Sequence, residues 1–129
     1  MKQPNITGSR KEYYIKKLEF DYDKSNDLLY ICRKGSNIYS NVVVGEFHLE
    51  FSKDKKIVGI EVLKASEILG EYGIPKKILE NIDKVELKIV VKGNSMLVFI
   101  IIHALNQEKS AAITMNNLES PIMKALVEA

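Results

Sequence analysis

From Leu18 the chain alternates, with Leu18, Phe20 and Tyr22 pointing one way and Glu19, Asp21 and Asp23 the other, the two-residue period of a strand with one buried face. Residues 24–27, KSND, supply turn chemistry, and LLYICR at 28–33 returns as the second arm of a hairpin. After a loop at 34–37, the same period predicts one strand from Val42 to Phe51, with Val43, Gly45, Phe47, Leu49 and Phe51 on one face. Val42, Val44, Glu46, His48 and Glu50 share the other. A turn at 52–56 leads to IVGIEVL at 57–63, and the four segments suit an antiparallel meander.

The period then changes. Ala65, Ile68, Leu69 and Tyr72 fall at helical spacing, and Gly70 and Gly73 stand where that helix must end. Pro75 opens a second short helix, with Ile78, Leu79 and Ile82 as its apolar stripe. Three further strands follow, at about 85–92, 96–103 and 110–115, before ESPIMKALV predicts a closing helix with Ser120 as cap and Pro121 in its first turn. The run MLVFIII at 96–102 is apolar at both parities, so it needs cover on both sides, from helices or from a second subunit. The expected fold class is α+β: an antiparallel sheet built from two β-rich units, each followed by short helices that cover the sheet or a dimer core.

A length of 129 residues fits one domain able to bury its own core without cross-links. Residues 1–12 read as a flexible N-terminal arm and 13–129 as a single α+β domain, with a two-unit division near residue 83. Cys32 is the lone cysteine, which excludes an internal disulfide and a multi-cysteine metal site. The polar start has no apolar signal core and the longest apolar run falls far short of the roughly 20 residues of a membrane helix, so a cytoplasmic protein with no membrane partner is expected. With 19 Lys and Arg against 17 Asp and Glu, the formal charge of +2 does not point to nucleic acid.

Residues 20–69 nevertheless carry a recognisable pattern. FDYDKSNDLLYICR followed by EFHLEFSKDKKIVGIEVLKASEIL resembles the DUF2283 family, on Tyr22, Asp23, Asp27, Leu29, Tyr30, Ile31, Gly59, Ile60, Glu61, Ala65 and Ser66. Glu50 and Ser52 stand where the family has an Asp-x-Asp strand end, and Lys55 where it has a turn glycine. The resemblance implies a fold, and a protein-binding role by analogy with members that look like partners of small toxin-like proteins. It implies no mechanism.

Chemistry is concentrated in FHLEF. Glu46, His48 and Glu50 at spacing two form a candidate metal face, although ligands about 7 Å apart along a strand converge poorly on one ion. Glu61, if its strand lies alongside, joins His48 and Glu50 as an acid–base candidate. Asp23 and Asp27 read as hairpin caps rather than cation ligands, and His103 as a satisfied strand residue. Arg10, Lys11, Lys16 and Lys17 beside Tyr13 and Tyr14, with Lys53, Lys55 and Lys56, make the best nucleic-acid surface. No nucleophile elbow or phosphate loop is present, and no cofactor is called for. The leading expectation is a structural or protein-binding module, homodimeric, more a binder than an enzyme. A small metal-dependent or acid–base enzyme using the His–carboxylate face comes second, and a weak nucleic-acid binder third.

Overall fold

The computed structural model describes residues 10–119. The closing helix expected after Ser120 lies outside the described residues, as do residues 1–9 of the expected arm. Arg10, Lys11 and Glu12 belong to a strand rather than to an arm.

Among the described residues the chain runs β1 (Arg10–Ile15), β2 (Leu18–Asp23), β3 (Leu28–Arg33), β4 (Ser40–Val44), β5 (Phe47–Phe51), β6 (Ile57–Leu63), α1 (Ala65–Gly70), α2 (Lys76–Leu79), β7 (Ile82–Lys92), β8 (Ser95–Ala104) and β9 (Gln107–Met115). The strands form two antiparallel sheets rather than one, ordered β2-β3-β6-β5-β4 and β1-β7-β8-β9. The first is no simple meander, because β3 pairs with β6 and the β4–β5 hairpin is carried to the far edge. β1 crosses to the other sheet, where Tyr14 stands opposite Lys88.

The strand expected from Val42 to Phe51 is in fact a hairpin. Val44 pairs with Phe47 across the two-residue turn Gly45–Glu46, and Gly45 has the positive φ of 57° that a glycine-first hairpin turn requires. Reversing the chain there exchanges the faces of the first arm. Val44 is buried and Val42 packs on the core, whereas Val43 points outward at 52% exposure. Beyond the turn the expected alternation holds, with Phe47, Leu49 and Phe51 buried and His48 and Glu50 on the other side.

Inner faces of both sheets feed one apolar cluster. Leu29, Ile31, Leu49, Ile60 and Val62 come from the five-stranded sheet, and Leu87, Ile89, Met96, Val98, Ile100 and Ile102 from the four-stranded one. Ala65 and Leu69 of α1, Ile78 and Leu79 of α2, and Ile74 between them are buried in the same cluster. No polar or charged residue among those described is buried, so every ionisable group keeps some access to water. No described helix is long and apolar enough to cross a membrane.

Ile100 is 0% exposed at the centre of the cluster, so Ile100→Ala is expected to cost about 2–5 kcal/mol of unfolding free energy. Val43→Thr, on the outer face, should stay within about 0.5 kcal/mol. Urea denaturation of both variants measures the contrast.

Candidate functional site

Strand register arranges the outer face of the five-stranded sheet in rows. One row reads Asp21, Tyr30, Glu61, His48, Val43 across β2, β3, β6, β5 and β4, and the next reads Glu19, Cys32, Gly59, Glu50, Asn41. Asp23, Leu28 and Leu63 continue the face beyond the first row. The two rows hold four carboxylates, Asp23 beyond them makes a fifth, and none of these outward strand positions carries a lysine or an arginine.

Two polar contacts organise the centre. His48 Nδ1 lies 3.3 Å from Glu61 Oε1, so the imidazole and the carboxylate anticipated from spacing do meet. Glu50 turns the other way and accepts a hydrogen bond from the Tyr30 hydroxyl at 2.7 Å. That bond spans from β5 to β3 across β6, and it is open only because residue 59 is glycine. A Cβ at Gly59 would stand 2.7 Å from Glu50 Oε1, 3.1 Å from Cys32 Cβ and 3.2 Å from the Ile31 carbonyl oxygen. Burial first, then the bond to Glu50 and the neighbouring Cys32, push the Tyr30 phenol well above its ordinary value of 10.0, so Tyr30 is a stable donor at neutral pH.

The metal face Glu46–His48–Glu50 is not assembled. Glu46 belongs to the β4–β5 turn, His48 meets Glu61, and Glu50 is engaged with Tyr30. Among the described residues no three His, Cys, Asp or Glu side chains come together around one metal ion. What the face offers is an imidazole–carboxylate pair beside a phenol–carboxylate pair on an open sheet surface, suited to hydrogen bonding and charge pairing.

A second knot closes the end of the same sheet. Asp27, at a positive φ of 51°, accepts from the Tyr22 hydroxyl at 2.6 Å, the Ser66 hydroxyl at 2.7 Å and the Ser66 N–H at 2.9 Å, while its own carbonyl accepts from the Ala65 N–H at 2.9 Å. One carboxylate thus joins the β2–β3 turn to the start of α1. Burial works to raise the Asp27 carboxyl, but the bonds from Ser66 and Tyr22 and the charge of Lys76 hold it below its ordinary 3.8. Burial and the bond to Asp27 drive the Tyr22 phenol far above 10.0. Asp23 is a turn cap as expected, accepting from the Asn26 N–H at 3.1 Å and the Asn26 side-chain amide at 2.7 Å.

Of the basic residues, Lys16, Lys17 and Lys56 gather with Arg33, Tyr13 and Tyr14 around one open hollow. Arg10 instead pairs with Glu12 at 2.7 Å, Lys11 lies within β1, and Lys53 and Lys55 are exposed on the β5–β6 turn. His103 is held by Glu86 at 2.8 Å on the other sheet. The Tyr30–Glu50 bridge and the Asp27–Ser66 link were not anticipated. A glycine at an outward position in the β-branched run IVGIEVL is the signal that points to the first, since such a glycine marks a close approach.

Residues 19–66 match the family model described as Protein of unknown function (DUF2283). The matched segment spans β2 to β6 apart from the first residue of β2, and it ends at Ser66, the residue that Asp27 secures. An uncharacterized protein of Methanocaldococcus jannaschii is 27% identical over 66 residues, covering 50% of this chain and 57% of that protein. The chain therefore aligns with little more than half the length of that relative. No solved structure matches the chain.

Asp27→Asn should cost about 1–3 kcal/mol by weakening charge-assisted bonds to three donors. Because the Asp27 carboxyl titrates lower when folded, its stabilisation is present above about pH 4 and is lost as pH falls through the folded value; the raised Tyr22 and Tyr30 phenols give stability that is lost above about pH 10. Denaturation midpoints against pH should show the acid limb shrink in Asp27→Asn. Gly59→Ala should cost about 1–3 kcal/mol, and less in a Glu50→Ala background, a coupling that a double-mutant cycle measures.

Proposed function

We propose that the protein is a binding module that works as a homodimer, two copies pairing through the outer face of the four-stranded sheet. The observation that carries this reading is the second face of β8. Its inner side chains, Met96, Val98, Ile100 and Ile102, are fully buried, yet Leu97, Phe99 and Ile101 on the opposite side are also apolar and only partly covered. Val90 of β7 and Tyr14 of β1, the latter 61% exposed, extend that face.

Charges around the apolar stripe are already matched within the chain. Lys88 meets Glu12 at 3.1 Å and His103 meets Glu86 at 2.8 Å, so a second copy would meet a face whose ions need no new partners. Tyr14, Glu86, Lys88, Phe99 and Ile101 also line a shallow depression on it, into which an aromatic or aliphatic side chain of the partner copy fits. The contents of the His48–Glu61 face favour binding over catalysis, because its polar groups are committed pairwise on an open surface rather than convergent in a cleft.

Sedimentation equilibrium over a range of concentrations is expected to give twice the chain mass for the parent protein and the single-chain mass for Phe99→Arg, with the circular dichroism of the two unchanged. A parent protein that stays monomeric, or a Phe99→Arg protein that stays dimeric, overturns the pairing face.

A further inference from the structure

Each of the two sheets ends in two edge strands, and they are not equally guarded. β1 carries Arg10, Lys11 and Glu12; β2 carries Glu19, Asp21 and Asp23; β9 carries Glu108 and Lys109. Charged side chains of this kind are the ordinary defence of a strand edge against pairing with another chain. β4 has none. Its sequence, SNVVV, contains no charge and no proline, and among the described residues its backbone pairs on one side only, with β5. Large apolar side chains are exposed along it and just before it: Ile38 at 40%, Tyr39 at 71% and Val43 at 52%.

We propose that the free edge of β4 receives an extended strand from a partner protein in which Lys or Arg alternates with aliphatic residues. Backbone pairing along β4 supplies affinity without sequence demand, and the two faces of the added strand supply selectivity. Inward positions would continue the row of Val42 and Val44 at the margin of the core, which calls for aliphatic side chains. Outward positions would lie beside Asn41 and Val43, in the two rows that continue to Glu50 and to the His48–Glu61 pair. An added strand stands about 10 Å from β5, two strand spacings, so an outward Lys or Arg on it leans over β4 toward the acidic rows and is drawn by their field at about a Debye length rather than by a direct ion pair. That face holds no lysine or arginine of its own at its outward strand positions, so the field over the docking edge selects a cationic partner and disfavours a second copy, whose β4 would bring another acidic face alongside.

The test uses the full chain labelled with nitrogen-15 and two capped peptides, three repeats of Lys-Val and three of Glu-Val. The Lys-Val peptide is expected to shift and protect from exchange the amides of β4, with weaker binding at higher salt, while the Glu-Val peptide does neither. Val43→Lys, which guards the edge at an exposed position, should abolish the effect. Glu50→Gln with Glu61→Gln, which removes charge and keeps the edge open, should weaken binding about tenfold and flatten its salt dependence. The proposal is overturned if the two peptides bind alike, if the shifts fall on β1, β2 or β9, if neither set of substitutions alters binding, or if β4 is already protected without peptide in a concentration-dependent way, as a second copy on the edge would make it. Phe99→Arg should bind the Lys-Val peptide as the parent does, so failure of the dimer and failure of the edge are read separately.

Discussion

Water is excluded from a single layer between two sheets, and the placement of every other group follows from that exclusion. A strand that contributes to the layer can do so with only one parity, because its side chains alternate; the other parity must face away. Phe47, Leu49 and Phe51 go in, so His48 and Glu50 go out; Ile60 and Val62 go in, so Glu61 goes out beside them. The His48–Glu61 contact is therefore a by-product of core burial and register, with no need of a dedicated loop. The absence of buried charge among the described residues is consistent with this economy, since the layer is closed entirely by aliphatic and aromatic contact.

Polar contacts then fix what burial leaves loose. Asp27 fastens a turn to a helix start with three accepted bonds, and Glu50 reaches over a glycine to a tyrosine two strands away. Tyr22, Asp27, Ser66, Tyr30 and Gly59, five of the residues on which the resemblance to DUF2283 rests, all serve these two links, and the matched segment stops where the first link ends. The pattern reads as the cost of holding one sheet and a helix together. Its residues need no shared ligand to explain them.

Much of this was legible from period alone. Seven alternating segments covered eight of the nine described strands, with β4 and β5 read as one, the change to helical spacing located both short helices, and parity separated His48 and Glu50 from the core. The errors have a common cause. Alternation is blind to chain reversal, so VVVGEF read through Gly45 as one strand and the faces of Val42, Val43 and Val44 came out inverted. Alternation also carries no information on which strands become neighbours, so the pairing of β3 with β6 and the transfer of β1 to the other sheet were not accessible. Tyr30 and Glu50 are twenty residues apart, and their contact depends on that same pairing.

The uneven distribution of charge over the surface carries a further consequence. A chain of formal charge +2 whose five-stranded sheet turns outward strand positions free of lysine and arginine must hold its surplus of positive charge elsewhere, as at Lys16, Lys17, Arg33 and Lys56. The molecule is thus electrically lopsided. In a charged neighbour's field it would rotate before touching, but only within about a Debye length, roughly 8 Å at physiological salt, so its orientation is chosen in the last few water layers of an encounter.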